Sequence, residues 1–344
     1  MLKFPPISLF RNVLVYVEHV NTDPEVPAEY RVTEPVTFSG TIKLHGSNCG
    51  VIWTPDGPIQ AQSRETLLAP GKDYKGFAQF VEAYQKQIKR IFSEDVLPML
   101  KGTVHKVVLY GEWVGAGVLK KNKGSAVSRL DPKHWVLFAV GALIDDDEEP
   151  RNVSFVLDGV RCSSRIGNVH RIGADWLVTI DFNDPASIEA GLAKVQGFTD
   201  AVAAVCPYGA AEGIRGAGEG IVWMPMGKFE GREDLYWKHK SEAHAVVERK
   251  ERKARPAVSA DLQAAIDAFV ESTVTENRLD QGIDALEQQG LQVEKRNTGR
   301  FIKWVAEDVE RECTLELADA DLQWQQVLNA VMTKARVFFL STAS

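Results

Sequence analysis

In Thr41-Ile42-Lys43-Leu44-His45-Gly46 an amine and an imidazole alternate with two aliphatic side chains ahead of a glycine. On a strand, Lys43 and His45 share one face while Ile42 and Leu44 share the other. A lysine taken out of water beside a histidine, just before a tight turn, is a candidate nucleophile. The segment alone reads more simply as an edge strand with a solvated lysine. Glu112 in Leu109-Tyr110-Gly111-Glu112-Trp113 and Glu219 in Gly218-Glu219-Gly220-Ile221-Val222 are carboxylates among apolar neighbours. Either one alone is an ordinary strand-end acid. In Tyr236-Trp237-Lys238-His239-Lys240 two lysines share a strand face, an arrangement that an anion would justify and that exposed edge strands also show.

These side chains need a scaffold of mixed elements. Thr41 to His45 and Asn48 to Trp53 read as strands around a Gly46-Ser47 turn. Val107 to Trp113, Trp135 to Ile144, Gly220 to Met224 and Leu235 to Lys240 read as further strands. Phe77, Phe80, Val81, Tyr84, Ile88 and Ile91 recur at the spacing of one amphipathic helix. Asp184-Pro185 has the form of an N-cap followed by proline at the first helical position. The acid run from Asp145 to Glu149 reads as a solvated hairpin tip rather than a metal site.

Composition changes after residue 247. Arg249, Lys250, Arg252, Lys253 and Arg255 precede Pro256, marking 248–258 as a basic linker between a domain at 1–247 and a small all-helical domain at 259–344. In the latter, Ser259 can cap a helix with Leu262, Ile266, Phe269 and Val270 on one face. Phe301, Trp304, Val305 and Val309 suggest a second, and Leu322, Val327, Leu328, Val331 and Phe338 a third.

The whole composition sets bounds. At 344 residues, roughly 150 per domain gives about two domains. With 44% apolar and 25% charged residues the chain belongs with folded rather than disordered proteins. The longest apolar run is far short of the roughly 20 residues of a membrane span, and four scattered cysteines suit a reducing cytoplasm. Forty basic against 47 acidic residues, a net charge of −7, exclude a globally basic coat for nucleic acid but allow local patches. Lys120, Lys121, Lys123, the linker, and Lys295, Arg296, Arg300 and Lys303 are such patches, each as readily a solvated face as a phosphate contact.

In this order, the segments resemble the collinear motifs of the lysine-dependent nucleotidyltransferases, the ATP-dependent ligases and capping enzymes. The match is closest to the bacteriophage RNA ligase 2 family, with Lys-x-His-Gly where DNA ligases usually carry Lys-x-Asp-Gly. The resemblance rests on Lys43-Leu44-His45-Gly46-Ser47-Asn48, Ser63-Arg64-Glu65, Gly111 to Val118 with Lys120 and Asn122, Phe138, Glu219-Gly220-Ile221-Val222, Lys238-His239-Lys240 and Val274 to Arg278. It implies an α+β, ATP-grasp-like domain of antiparallel sheets with flanking helices, followed by the helical domain. It further implies ATP as substrate and Mg²⁺, or Mn²⁺, as metal.

By the same resemblance Lys43 attacks ATP to give lysyl-AMP, AMP passes to an RNA 5′-phosphate, and a 3′-hydroxyl then closes the break, at nicks in duplex RNA. Lys43, Leu44, Arg64, Glu112, Phe138, Lys238 and Lys240 would line the nucleotide, with Phe138 stacked on adenine and Glu112 on the ribose. Glu219 would hold the metal. His45 would serve the pyrophosphate side, Asn48 the nucleic-acid steps, and Arg64 a phosphate or strand end. Lys238, Lys240 and a cation should depress the Lys43 pKa while the carboxylates oppose them. Family members can carry an acid just before the lysine; here it is Ile42, so adenine would be read by backbone groups. The resulting expectation is a monomeric repair enzyme of the cytoplasm, the host's if phage-encoded. Two alternatives stay open: a DNA ligase or capping guanylyltransferase, whose usual β-barrel module the helical tail does not match, and a non-catalytic RNA-binding protein.

Overall fold

The computed structural model describes residues 1–119, 124–144, 159–160, 162–171, 176–241 and 260–343. The chain divides into two units, Met1–Ser241 and Glu242–Ser344. The basic linker, the acid run and Lys120, Lys121 and Lys123 lie outside the described residues, as does Ser259.

The first unit is built on two sheets. Strands β1 (Ser8–Leu9), β2 (Val36–Lys43), β9 (Leu177–Ile180), β10 (Gly220–Pro225) and β11 (Trp237–Lys240) form the first, in the order β1-β11-β10-β2-β9. The second runs β5-β4-β3-β6-β7-β8, from β3 (Ser47–Trp53), β4 (Gln60–Ser63), β5 (Leu67–Leu68), β6 (Val104–Val114), β7 (His134–Ile144) and β8 (Ile166–Asn168). All neighbours are antiparallel except β1 with β11 and β7 with β8. The fold is thus α+β with antiparallel-rich sheets and flanking helices.

The two strands expected around Gly46 are therefore not a hairpin. β2 ends at Lys43 in the first sheet, and after three residues β3 begins at Ser47 in the second. Leu235 likewise falls in a 3₁₀ turn (Glu233–Leu235) before β11 rather than on the strand.

Helices cover the sheets. α1 (Phe10–Thr22) buries Phe10, Val13, Val17 and Val20 at three- and four-residue spacing, and Phe10 lies 4.6 Å from the Trp237 ring. α4 (Pro185–Ala204) starts where Asp184-Pro185 places it, the Asp184 carboxylate accepting from the Ala186 amide, and packs Val195 and Val202 into the same core. The helix expected from Phe77 to Ile91 is interrupted. α2 (Phe77–Ala83) gives way to α3 (Gln85–Arg90) at Tyr84, and a wider π turn follows from Ile91 to Val96. Its apolar face nonetheless packs on the second sheet, with Phe77 and Phe80 against Trp113 and Trp135. Full burial of side chains this size is worth roughly 1.5–3 kcal/mol each. A short α5 (Pro207–Ala211) follows α4. Val114 and Val136 of the second sheet join the first sheet's core, and Phe138 packs against both cores.

The second unit is all helical: α6 (Ala260–Thr273), α7 (Glu276–Gln288), α8 (Thr298–Glu312), α9 (Thr314–Asp319) and α10 (Trp324–Thr342). Its core joins Ile266, Phe269, Leu286, Phe301, Val305, Val331 and Phe339. Leu262, expected on the buried face of α6, is exposed, and Leu322 is buried just ahead of α10 rather than on it. Among the described residues no helix is long and apolar enough to cross a membrane.

Candidate active site

Gly46 and Gly220 bring the chemistry together. A Cβ on Gly46 would lie 2.4 Å from the Trp113 carbonyl, so only glycine lets the chain leaving β2 press against the end of β6. The Gly46 amide there donates to Glu112 Oε1 at 3.0 Å. Gly220 pairs with Lys43 on one side and Lys240 on the other. A Cβ on it would meet the His239 carbonyl at 2.1 Å. The strands carrying both lysines thus close around the residue that follows Glu219.

The result is one buried carboxylate held by two ammonium groups. Lys43 Nζ lies 2.8 Å from Glu219 Oε2, and Lys240 Nζ lies 3.1 Å from Oε1. His45 Nδ1 stands 3.9 Å from Oε2, although β2 ends at Lys43 and His45 lies in the bend beyond it rather than on the expected strand. Ile42 and Leu44 are buried on the opposite side, so any nucleotide contact by Leu44 is left to its backbone.

Electrostatics follow from this packing. Burial pulls the Glu219 pKa up, but Lys43, Lys240 and His45 outweigh it, and Glu219 is held well below the usual carboxylate range. Burial pushes Glu112 up to about 7, with Lys43 opposing and Glu219 reinforcing the rise. Burial alone would lower the Lys43 pKa, yet the carboxylates of Glu219 and Glu112 carry it above the ordinary lysine value. The depressed pKa expected from the sequence is therefore reversed in this state. Two acids, Glu219 and Glu112, act on the amine, and Glu219 is paired with Lys43 and Lys240 at once.

The remaining residues are distributed around this centre. Asn48 pairs with Glu112 across β3 and β6, which places the two on the same face of the second sheet. Arg64 is exposed just past the end of β4 and acts electrostatically on both Lys43 and Glu112. Lys238 is in register with Val222 and Leu9, two residues before Lys240 on β11. Phe138 occupies a bulge. The β6–β7 register steps from Tyr110–Ala139 to Gly111–Leu137 and leaves it as the extra residue.

Phe4 was not anticipated from the sequence. Its ring lies 5.0 Å from that of Phe138 and 5.3 Å from that of Tyr110, in edge-on geometry. The segment is tied down by Lys3 to Glu65 at 2.6 Å and by Gln62 Nε2 donating to the Leu2 carbonyl at 2.5 Å. A lone aromatic ahead of two prolines carries no periodic signal that would place it there. Tyr74 is a second such residue, its hydroxyl 2.9 Å from that of Ser47.

Among the described residues no three His, Cys, Asp or Glu side chains stand close enough to chelate a metal on their own. One buried carboxylate with a second beside it suits a hard divalent cation that takes its other oxygens from phosphate and water.

No curated protein matches the chain in sequence. Solved structures of Naegleria gruberi RNA ligase are similar at low identity. A mutant with AMP and Mn shares 15% identity at a TM-score of 0.38, covering 71% of this chain and 56% of that one. A second mutant, with ATP and Mn, gives 15%, 0.38, 70% and 57%, and an apo mutant gives 16%, 0.41, 71% and 56%. The chain thus spans less than two thirds of these ligases. The family model for RNA ligase matches residues 36–238, from the first residue of β2 into β11 and so across Lys43, Glu112 and Glu219. By that match, over more than half its length, the chain belongs to the RNA ligase family.

Proposed function

We propose that this chain is an ATP-dependent RNA ligase of the phage RNA ligase 2 type, joining 3′-hydroxyl and 5′-phosphate ends at nicks in duplex RNA. The observation that carries the reading is the Lys43–Glu219–Lys240 cluster, with Glu112 facing it from the second sheet.

In this reading Lys43 Nζ gives up its proton and forms a bond to the α-phosphorus of ATP, while the bond to pyrophosphate breaks. Lys240 and Lys238 offset the charge that builds on the phosphate oxygens. AMP then passes to the RNA 5′-phosphate oxygen and frees Lys43. The 3′-hydroxyl attacks that phosphorus, and AMP leaves. Glu112 holds the ribose, Phe138 lies on the base, and Arg64 and Asn48 serve the phosphate and the strand end. Glu219, with Glu112 nearby, would hold a Mg²⁺ or Mn²⁺ ion, which supplies positive charge beside the phosphates. Residues 1–247 perform adenylylation, and 259–344 engage the RNA ends.

The test is label transfer from α-labelled ATP or GTP to wild type and Lys43→Ala, read on a denaturing gel after bound AMP is stripped with pyrophosphate. Label from ATP on wild type alone is expected. Label from GTP would point to a capping-type enzyme. No label from either would leave an RNA-binding protein without this catalysis.

A further inference from the structure

We propose that Lys133 and Arg165, with Lys75 beside them, form a subsite for a phosphodiester of the RNA strand, separate from the Lys43 centre. The proposal rests on the RNA-joining reading above and extends it to how the substrate is held.

The three cations gather at one end of the second sheet. Lys133 immediately precedes β7 and Arg165 immediately precedes β8, whose first residue, Ile166, pairs with Trp135. Val114 pairs with His134 and Ser47 pairs with Trp113, so this is also the end at which Gly46 meets β6. The turn carrying Lys75 is fixed to the same end. Tyr74 bonds to Ser47, the Trp113 indole donates to the Lys75 carbonyl at 3.2 Å, and Lys133 Nζ donates to that carbonyl at 2.8 Å. Lys75 takes a left-handed conformation there, φ 52°, which non-glycine residues seldom adopt.

Arg165 is equally constrained. Its Nε donates to the Lys133 carbonyl at 2.8 Å, and its guanidinium lies 5.2 Å from the Phe80 ring centre and 5.4 Å from that of Tyr84. Its two terminal nitrogens donate to no described residue.

Among the described residues no carboxylate forms an ion pair with Lys133 or Arg165. The Asp73 carboxylate caps the start of α2, accepting from the Ala78 amide at 2.6 Å and from the Gln79 amide at 3.3 Å. Burial and the Lys75 charge hold the Lys133 pKa below the usual lysine value, while Asp73 and Asp131 oppose them. Lys133 and Arg165, half-buried and fixed close together, would both be stabilised by an anion held between them. A phosphodiester fits, because the guanidinium fork can take two oxygens and the ammonium a third contact. Lys133 is three residues from Val136, the cross-strand partner of Glu112, or about 10 Å along the strand. That offset suits a neighbouring nucleotide rather than the one carried on Lys43.

The experiment uses the full chain as Lys133→Gln, Arg165→Gln and, as a charge control on the exposed face of α4, Lys194→Gln. Binding to a nicked duplex RNA is followed against salt, and lysyl-AMP formation from labelled ATP is followed in parallel. Each site variant should weaken RNA binding and lower the log–log salt slope by about one, with label transfer and the control's slope unchanged. Lys133→Gln leaves the Arg165 stacking intact and carries the test if Arg165→Gln lowers the Tm. An unchanged slope, or an equal fall in Lys194→Gln, overturns the subsite. Loss of label transfer with RNA binding intact would assign the cations to ATP instead. Wild type that takes no label and binds no RNA defeats the RNA-joining reading itself, a result distinct from either.

Discussion

Lys43 rests as a cation between two acids, and an amine cannot attack phosphorus until it has lost its proton. Glu219 is the stronger of the two holds, at 2.8 Å. In Glu219→Gln the burial of Lys43 is no longer outweighed to the same degree, so the Lys43 pKa should fall. Competitive acylation read by mass spectrometry should find Lys43 more reactive than in wild type near neutral pH. Adenylylation should nevertheless drop on the order of 100-fold, because the same carboxylate orders Lys240 and would hold the cation. Equal acylation of wild type and variant would mean that Glu219 does not govern the amine. Glu112 gives a second reading of the same electrostatics. It titrates near 7 when folded and at the ordinary 4.5 when unfolded. Between those values the folded chain keeps a proton that the unfolded chain has lost. Stability therefore falls as pH rises from about 4.5 to about 7, by roughly 3 kcal/mol at most. Glu112→Gln should flatten the decline in Tm across that window. Parallel wild-type and variant curves would exclude Glu112 as its source.

At the scale of strands, the site depends on how closely β10 and β11 approach. Gly220→Ala would set a methyl group against the His239 carbonyl and the Lys240 backbone, at 2.1 and 2.8 Å. The strands must part, at a cost of about 1–3 kcal/mol, and Lys240 shifts from Glu219. A displacement on the order of 1 Å lowers catalysis by roughly 100-fold, which label-transfer rates would register. Gly197→Ala in α4, where a Cβ meets nothing, should be neutral or slightly stabilising. If the two variants behaved alike, close approach at Gly220 would not matter. The same strands show what a sequence can convey. Alternation from Thr41 was read through to His45, but β2 stops at Lys43, and His45 reaches the same carboxylate from the bend beyond the strand. Whether β2 and β3 form a hairpin or pass between sheets is decided by partners far along the chain, β10 on one side and β6 on the other. Leu235 looks like strand but turns because the chain must enter β11 beside β1. Phe4 has no pattern at all; only its ring contacts with Phe138 in the bulge and with Tyr110 give it a place. The gathering of Lys43, Glu219 and Lys240 was legible as motif order, whereas the raised Lys43 pKa was not, since it depends on the distances.

Across the whole molecule, each unit has its own core, and Lys43, Glu112, Glu219 and Lys240 all belong to Met1–Ser241. The helical unit is held from within by a charge. Arg278 is fully buried and bonds to Asp308, with Glu312 at 3.8 Å and Cys313 Sγ at 3.4 Å. Asp308 also takes the Arg311 guanidinium. Removing the Arg278 guanidinium leaves two mostly buried carboxylates with too little positive charge, and breaking such a buried network costs about 3–5 kcal/mol. Arg278→Ala should therefore unfold the helical unit at a lower temperature, as a separate early transition in calorimetry. Lysyl-AMP formation from ATP should stay at the wild-type rate, because no residue of the Lys43 centre lies in that unit. Sealing of nicked duplex RNA should fall, as it should on deletion of 248–344, because the helical unit is the part assigned to the RNA ends. Sealing that survives either change would remove that assignment. Label transfer that falls together with sealing would show that adenylylation, too, needs the helical unit.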